Sequence, residues 1–172
     1  MDGYGLVDAT ESRGGNYTLD ARVNSGAPEY QHLRDSETGT WARRDDVDVA
    51  LNDISETSPL TVGLGQDSNS FGPELQFGHV VGAHIAQRVL LVKVAWGGKS
   101  LHGDFRPPTA AASRPEGGGT GAAYTDMVSI VMSRLTALGQ RGVDYELRGF
   151  MWHQGCNQPV IQCPAHHDHT VP

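Results

Sequence analysis

Several groups of residues in the 172-residue chain have types and spacings that chemistry could use. Trp96-Gly97-Gly98-Lys99-Ser100 contains two adjacent glycines. Without Cβ atoms their backbone can approach a ligand closely, as binding an anion or a developing oxyanion requires; the same pair also makes an ordinary tight turn. His153-Gln154-Gly155 sets an imidazole beside an amide that can donate to an oxyanion. A serine nucleophile needs a sharp turn and a base within reach. Ser68, in Gly65-Gln66-Asp67-Ser68-Asn69, sits in a suitable glycine-led stretch, but no strand of useful length precedes it, and a nucleophile elbow requires one. Ser70 reads instead as helping to open the following helix. Cys156, Cys163, His166, His167 and His169 carry donor atoms near the C-terminus. Their order is not that of a zinc finger, no Cys-x-x-Cys occurs, and Pro159, Pro164 and Pro172 mark irregular chain, so no metal site is expected.

The elements that must position these groups are legible between residues 61 and 152. Gly72-Pro73-Glu74 opens a helix, because proline at the first position loses no needed N–H and glutamate suits the positive end of the dipole. Phe77, Val80, Val81, His84 and Ile85 then fall on one helical face. Val89 to Trp96 is a near-continuous apolar run of strand length, as expected for an interior parallel strand covered on both faces, and it stops at Gly97-Gly98. Beyond a Pro/Gly-rich loop from Arg106 to Gly121, Tyr124, Met127, Val128, Val131, Met132, Leu135 and Leu138 repeat at helical spacing, with Gly139 as the stop. Tyr145 to Trp152 reads as a second buried strand. Strand, crossover helix and strand make a βαβ unit, hence an α/β domain with a parallel sheet. Ligands in such sheets sit beyond the carboxyl ends of the strands, which brings Gly97-Gly98 and His153-Gln154 to one edge.

Composition bounds the rest. The chain has 36 Leu, Ile, Val and Phe, about 21%, just above the roughly 20% below which chains tend to stay disordered. Its 22 glycines follow no Gly-X-Y period, which excludes collagen. The net charge of −7 arises entirely in residues 1–60, which hold 12 acids and 5 arginines. That balance argues against a nucleic-acid surface, since phosphate binding needs clustered Lys and Arg. No apolar run reaches the ~18 residues that suggest a membrane span, and Met1 to Gly5 lacks the parts of a signal peptide. Residues 1–60 show no sustained period and read as a long loop excursion. Two cysteines are too few for a disulfide framework.

Phe71-Gly72-Pro73-Glu74-Leu75-Gln76-Phe77-Gly78, Val92-Lys93-Val94-Ala95-Trp96-Gly97-Gly98-Lys99-Ser100-Leu101, Asp104-Phe105-Arg106-Pro107-Pro108 and Gly149-Phe150-Met151-Trp152-His153-Gln154-Gly155 resemble, in this order, the sialate O-acetylesterase family. This is the carbohydrate acetylesterase branch of the SGNH hydrolases. The resemblance covers residues 71–155 and implies a three-layer α/β/α sandwich with a parallel sheet, SGNH or flavodoxin-like and incomplete at both ends. It implies serine hydrolysis of acetyl esters on sugars without metal or cofactor, and acetylated carbohydrate as the partner. Gly98 matches the glycine whose N–H faces the oxyanion, and Gln154 the position whose amide donates to it. Gly97, Trp96 and His153 lie beside them as substrate-binding positions.

The family's nucleophile lies in Gly-Gln-Ser-Asn-Met, often followed by Asp-Gly-Tyr-Gly. Met1-Asp2-Gly3-Tyr4-Gly5 is similar to that continuation, so the resemblance implies a serine two residues before Met1. The family's late Asp-x-x-His has no counterpart in these residues, and Cys156-Asn157-Gln158-Pro159 departs from its pattern. The expectation is therefore a single partial domain over 1–172, with a loop-rich excursion over 1–60, an α/β core over 61–155 and an irregular tail over 156–172. Its chemistry would be that of a carbohydrate O-acetylesterase, inactive as this chain. The alternatives are a non-catalytic carbohydrate-binding domain, with Trp96, Trp152 and His153 facing the sugar, or a non-functional remnant. Export is expected from the family alone.

Overall fold

Val47, Val49 and Leu51 alternate with Asp48 and Ala50, a short period-two pattern that forms the central strand of the fold. The computed structural model describes residues 3–10, 15–52 and 56–153. In chain order its elements are β1 (Gly5–Leu6), α1 (Leu19–Asn24), β2 (Arg44–Leu51), β3 (Thr57–Leu60), β4 (Ser70–Phe71), α2 (Glu74–His84), β5 (Val89–Lys93), α3 (Pro108–Ser113) and α4 (Ala122–Gln140). Short 3-10 turns occupy Gly15–Tyr17, Pro28–Leu33 and Pro115–Gly117. The chain divides into two compact units, residues 1–95 and residues from 96 onward.

The first unit is a mixed α/β structure. Its three-stranded sheet has the order β3-β2-β5, with β2 antiparallel to β3 and parallel to β5. The parallel register runs from Val47 beside Val89 to Leu51 beside Lys93. β1 and β4 form a separate antiparallel pair. Val47, Val49 and Leu60 are almost fully inaccessible, and Leu19, Leu33, Leu64 and Leu75 close around them. α1 reaches this core because Thr18 caps it, its hydroxyl accepting from the Ala21 N–H at 3.2 Å, which leaves Leu19 and Val23 one turn apart on the buried side. This corrects the reading of residues 1–60 as a loop excursion. The stretch supplies the central strand, whose acid-rich start, Arg44-Asp45-Asp46, masks the short alternation after it.

The helix read at 74–84 is present, but its buried face is another one. Glu74, Leu75, Gly78, His79 and Gly82 are buried, while Phe77 and Val80 are exposed. A Cβ on Gly78 would stand 2.5 Å from Leu60 Cδ2, and one on Gly82 2.6 Å from Val47 Cγ2. The two glycines let the helix backbone seat directly on the strands, and close approach decides the face over side-chain hydrophobicity. β5 also differs from expectation. It ends at Lys93, lies at an edge of the sheet and is half-buried rather than covered on both faces.

In the second unit α4 forms over the expected apolar repeat, but Gly139 does not stop it. Gly142, at φ +69°, does. The Gly142 N–H reaches the Gly139 carbonyl at 3.0 Å and the Val143 N–H reaches the Leu138 carbonyl at 3.0 Å, which is a Schellman closure. The second strand expected over Tyr145 to Trp152 is absent; this stretch is exposed and joins neither sheet among the described residues, so the expected strand-helix-strand unit does not form there. A strand persists only where a neighbour takes its N–H and C=O groups, and the parallel partner of β5 is β2.

Candidate functional site

The motifs that bear chemistry follow β5, and the exit of that strand is held by side chains. The Asn52 N–H bonds the Lys93 carbonyl at 2.8 Å. The Asn52 amide then bonds Ala95 twice, its oxygen accepting from the Ala95 N–H at 2.8 Å and its Nδ2 donating to the Ala95 carbonyl at 3.0 Å. The side chain thus continues the parallel ladder after the strand has ended. Asn52 does this from φ +33°, a left-handed conformation that asparagine tolerates better than most residues.

Beside it lies a buried ion pair. Lys93 Nζ stands 2.9 Å from Glu74 Oε1 and donates to the Leu64 carbonyl at 2.6 Å. Glu74 Oε1 also accepts from the Gly72 N–H at 3.0 Å, whereas Glu74 Oε2 is buried without a hydrogen-bond partner. The pair ties the start of α2, the Leu64 turn and β5 to one point. The sequence reading assigned Glu74 only a helix-opening role and gave Lys93 none. The available signal was a lone lysine inside an apolar strand, since buried lysine almost always has a partner.

In the second unit, Gly97-Gly98 forms an exposed turn, and Gly98 adopts φ +71°, a conformation natural to glycine. The loop after it folds around Asp104. That carboxylate accepts from the Ser100 N–H at 2.9 Å and lies 3.3 Å from Lys99 Nζ. The Ser100 N–H and the Lys99 ammonium hold it below the usual carboxylate range. The Asp104 carbonyl in turn accepts from the Tyr124 N–H at 3.1 Å, tying this loop to the first turn of α4. Arg106 is buried among the carbonyls of Ala110 and Arg114, which folds the following loop around its guanidinium.

Trp96 lies 6.0 Å from Phe105 between ring centres, and Phe105 lies 5.0 Å from Trp152 in an edge-to-face contact at 87°. Phe150 continues the row 6.0 Å from Trp152. The structure therefore brings Trp96 and Trp152 to one aromatic cluster through Phe105, a residue that sequence reading did not single out. His153 is exposed at the end of this segment. Gln154, the expected amide donor, lies outside the described residues, as do the cysteines and histidines of the tail.

Ser68 is exposed in a turn tied by Asp67 and Asn69, and no described imidazole bonds it. Ser70 does not open α2. It lies in β4, and its hydroxyl accepts from the Asp67 N–H at 2.8 Å. Among the described residues no group of three or more His, Cys, Asp or Glu is arranged to hold a metal ion, and no helix is long and apolar enough to cross a membrane.

Comparison with known proteins adds a family. The family model described as carbohydrate esterase, sialic acid-specific acetylesterase, matches residues 1–167. No curated protein and no solved structure gives a significant match.

Proposed function

The chain belongs to the sialic acid-specific acetylesterase family of carbohydrate esterases, and from that premise we propose that its second unit carries the oxyanion-binding part of a carbohydrate O-acetylesterase. The observation that carries this reading is the exposed Gly97-Gly98 turn, followed by the loop that folds around Asp104 and preceded by Trp96, which joins the aromatic cluster of Phe105 and Trp152. In the reaction, a serine hydroxyl attacks the acetyl carbonyl, and the carbonyl oxygen gains negative charge. The Gly98 N–H and the Gln154 side-chain amide would donate to that oxygen, each worth about 3 kcal/mol of barrier by the scale of oxyanion-hole deletions. Gly97, Trp96 and His153 would border the sugar that leaves with its hydroxyl restored. We take the complete fold to be a three-layer α/β/α sandwich with a parallel sheet, to which both units belong as one domain.

The proposal includes inactivity of this chain by itself. No Gly-Gln-Ser-Asn and no Asp-x-x-His occurs among the 172 residues, and an oxyanion hole alone binds an ester without forming an acyl-enzyme. The test is hydrolysis of p-nitrophenyl acetate by the purified chain. The expected rate equals that of a Gln154→Ala control. Turnover well above the control, and lost on Ser68→Ala, overturns the inactivity and makes Ser68 the nucleophile.

The aromatic row favours a second reading, a carbohydrate-binding domain without catalysis. It predicts saturable quenching of tryptophan fluorescence by O-acetylated sugars, weakened by Trp152→Ala. No spectral change and no heat on titration removes it, and the remnant reading then stands.

A further inference from the structure

A cavity of about 520 Å3 lies in the first unit, and neither the sequence motifs nor the family reading uses it. Its walls include His32, Arg44, Gln76, His79 and His84. His79 is 7% exposed, and its Nε2 is buried without a hydrogen-bond partner. The His32 ring stands edge-on to the His79 ring at 5.1 Å between centres, and its Nε2 lies 2.9 Å from Gln76 Oε1. Gln76 and His79, three residues apart on α2, share a face, so two imidazoles and an amide oxygen converge.

We propose that this cavity binds a divalent transition-metal ion, copper(II), nickel(II) or zinc, through His32 and His79, with the Gln76 amide oxygen as a further donor. An anion is disfavoured, because the Arg44 guanidinium already pairs with the Asp46 carboxylate. Its Nε and Nη2 donate to the two oxygens of Asp46 at 3.0 and 2.5 Å, and Nη1 donates to the His79 carbonyl at 3.1 Å. The same pairing offsets the arginine charge that would repel a cation. The ring spacing suits the proposal. A metal about 2.0–2.1 Å from a nitrogen of each imidazole sets two such rings roughly 5 Å apart at a tetrahedral angle. No third imidazole, thiol or carboxylate joins them among the described residues, so water completes the coordination. Imidazole donors suit these three ions, and copper(II) should bind most tightly.

The test uses the full chain, stripped of metal, with Cys156 and Cys163 changed to Ser and His166, His167 and His169 changed to Ala, which removes the donors of the tail. Calorimetric titration with copper(II), nickel(II) and zinc chloride in turn should show one saturable equivalent, and the copper(II) complex should show two imidazole nitrogens by electron paramagnetic resonance. His79→Ala should abolish binding, His32→Ala should weaken it at least tenfold because it removes one of the two imidazole donors, and His102→Ala, outside the cavity, should leave it unchanged. His32 is exposed, so its variant tests the site even where His79→Ala does not fold. No saturable uptake, or uptake unaffected by His32→Ala, overturns the proposal. None of these readouts depends on ester hydrolysis, so the site stands or falls apart from the esterase reading.

Discussion

At Asn52 one side chain supplies both partners of Ala95, a residue that is 7% exposed. Asn52→Ala strips a buried N–H and a buried carbonyl at once and leaves an alanine in a left-handed conformation. The expected loss is about 1–3 kcal/mol, read as a lower urea midpoint at unchanged m. Asn52→Asp, which retains an acceptor for the Ala95 N–H, should recover part of it. His79 makes a second residue-scale prediction. Burial, then the nearby His32 and Arg44 charges, pull its pKa from 6.5 down to about 4. Between those values the unfolded chain binds a proton that the folded one refuses, so the stability His79 contributes is complete above about pH 6.5 and falls as the pH drops toward 4. The lowered carboxylates Asp35, Asp46 and Asp104 give their full stabilisation above their ordinary value of 3.8 and lose it only below, outside that window. Urea midpoints measured from pH 7 to 4.5 should therefore decline, and the decline should flatten in His79→Gln.

At the scale of elements, α2 tests the claim that close approach decides which face is buried. Gly78→Ala and Gly82→Ala each gain up to about 1 kcal/mol of helix propensity. Each also drives a methyl against Leu60 or Val47, which have no room to move, and overpacking of this kind costs about 1–3 kcal/mol. Both variants should be less stable than the parent in urea, and Gly139→Ala, whose Cβ meets nothing within 4 Å, should be neutral or stabilising. The same glycines explain what sequence reading could and could not reach. The existence of α2, β5 and α4 was legible from apolar spacing and from Pro73. The buried face of α2 was not, because Phe77 and Val80 dominate any count of hydrophobicity, while two glycines carry the contact. β2 was hidden because its alternation spans only Val47 to Leu51 and follows a run of charges. The Gly97-Gly98 turn was legible because two glycines end an apolar run. Phe105 and the Glu74–Lys93 pair were not, since their partners are distant in sequence and only the fold brings them together.

For the molecule as a whole, the uneven distribution of charge and apolar surface has consequences. The acidic excess lies in residues 1–60, whereas the exposed apolar side chains concentrate between Val143 and Trp152, with Leu147 72% and Phe150 74% exposed. Within that segment Glu146 and Arg148 pair with each other at 2.8 Å, so their charges offset locally and do little to keep another apolar surface away. An extended, unpaired stretch of this composition has the properties of a sticky edge, with N–H and C=O groups available for pairing and large side chains that gain by leaving water. The chain should therefore bind a hydrophobic dye such as anilinonaphthalene sulfonate while its circular dichroism still melts cooperatively, and its sedimentation coefficient should rise with concentration. Leu147→Lys with Phe150→Lys should lower dye binding and suppress the rise while leaving the melting temperature within a few degrees, because neither side chain belongs to the core around Val47, Val49 and Leu60. Dye binding unchanged in that double variant would trace the exposed apolar surface to another element, with Phe77 and Val80 on α2 the next to replace.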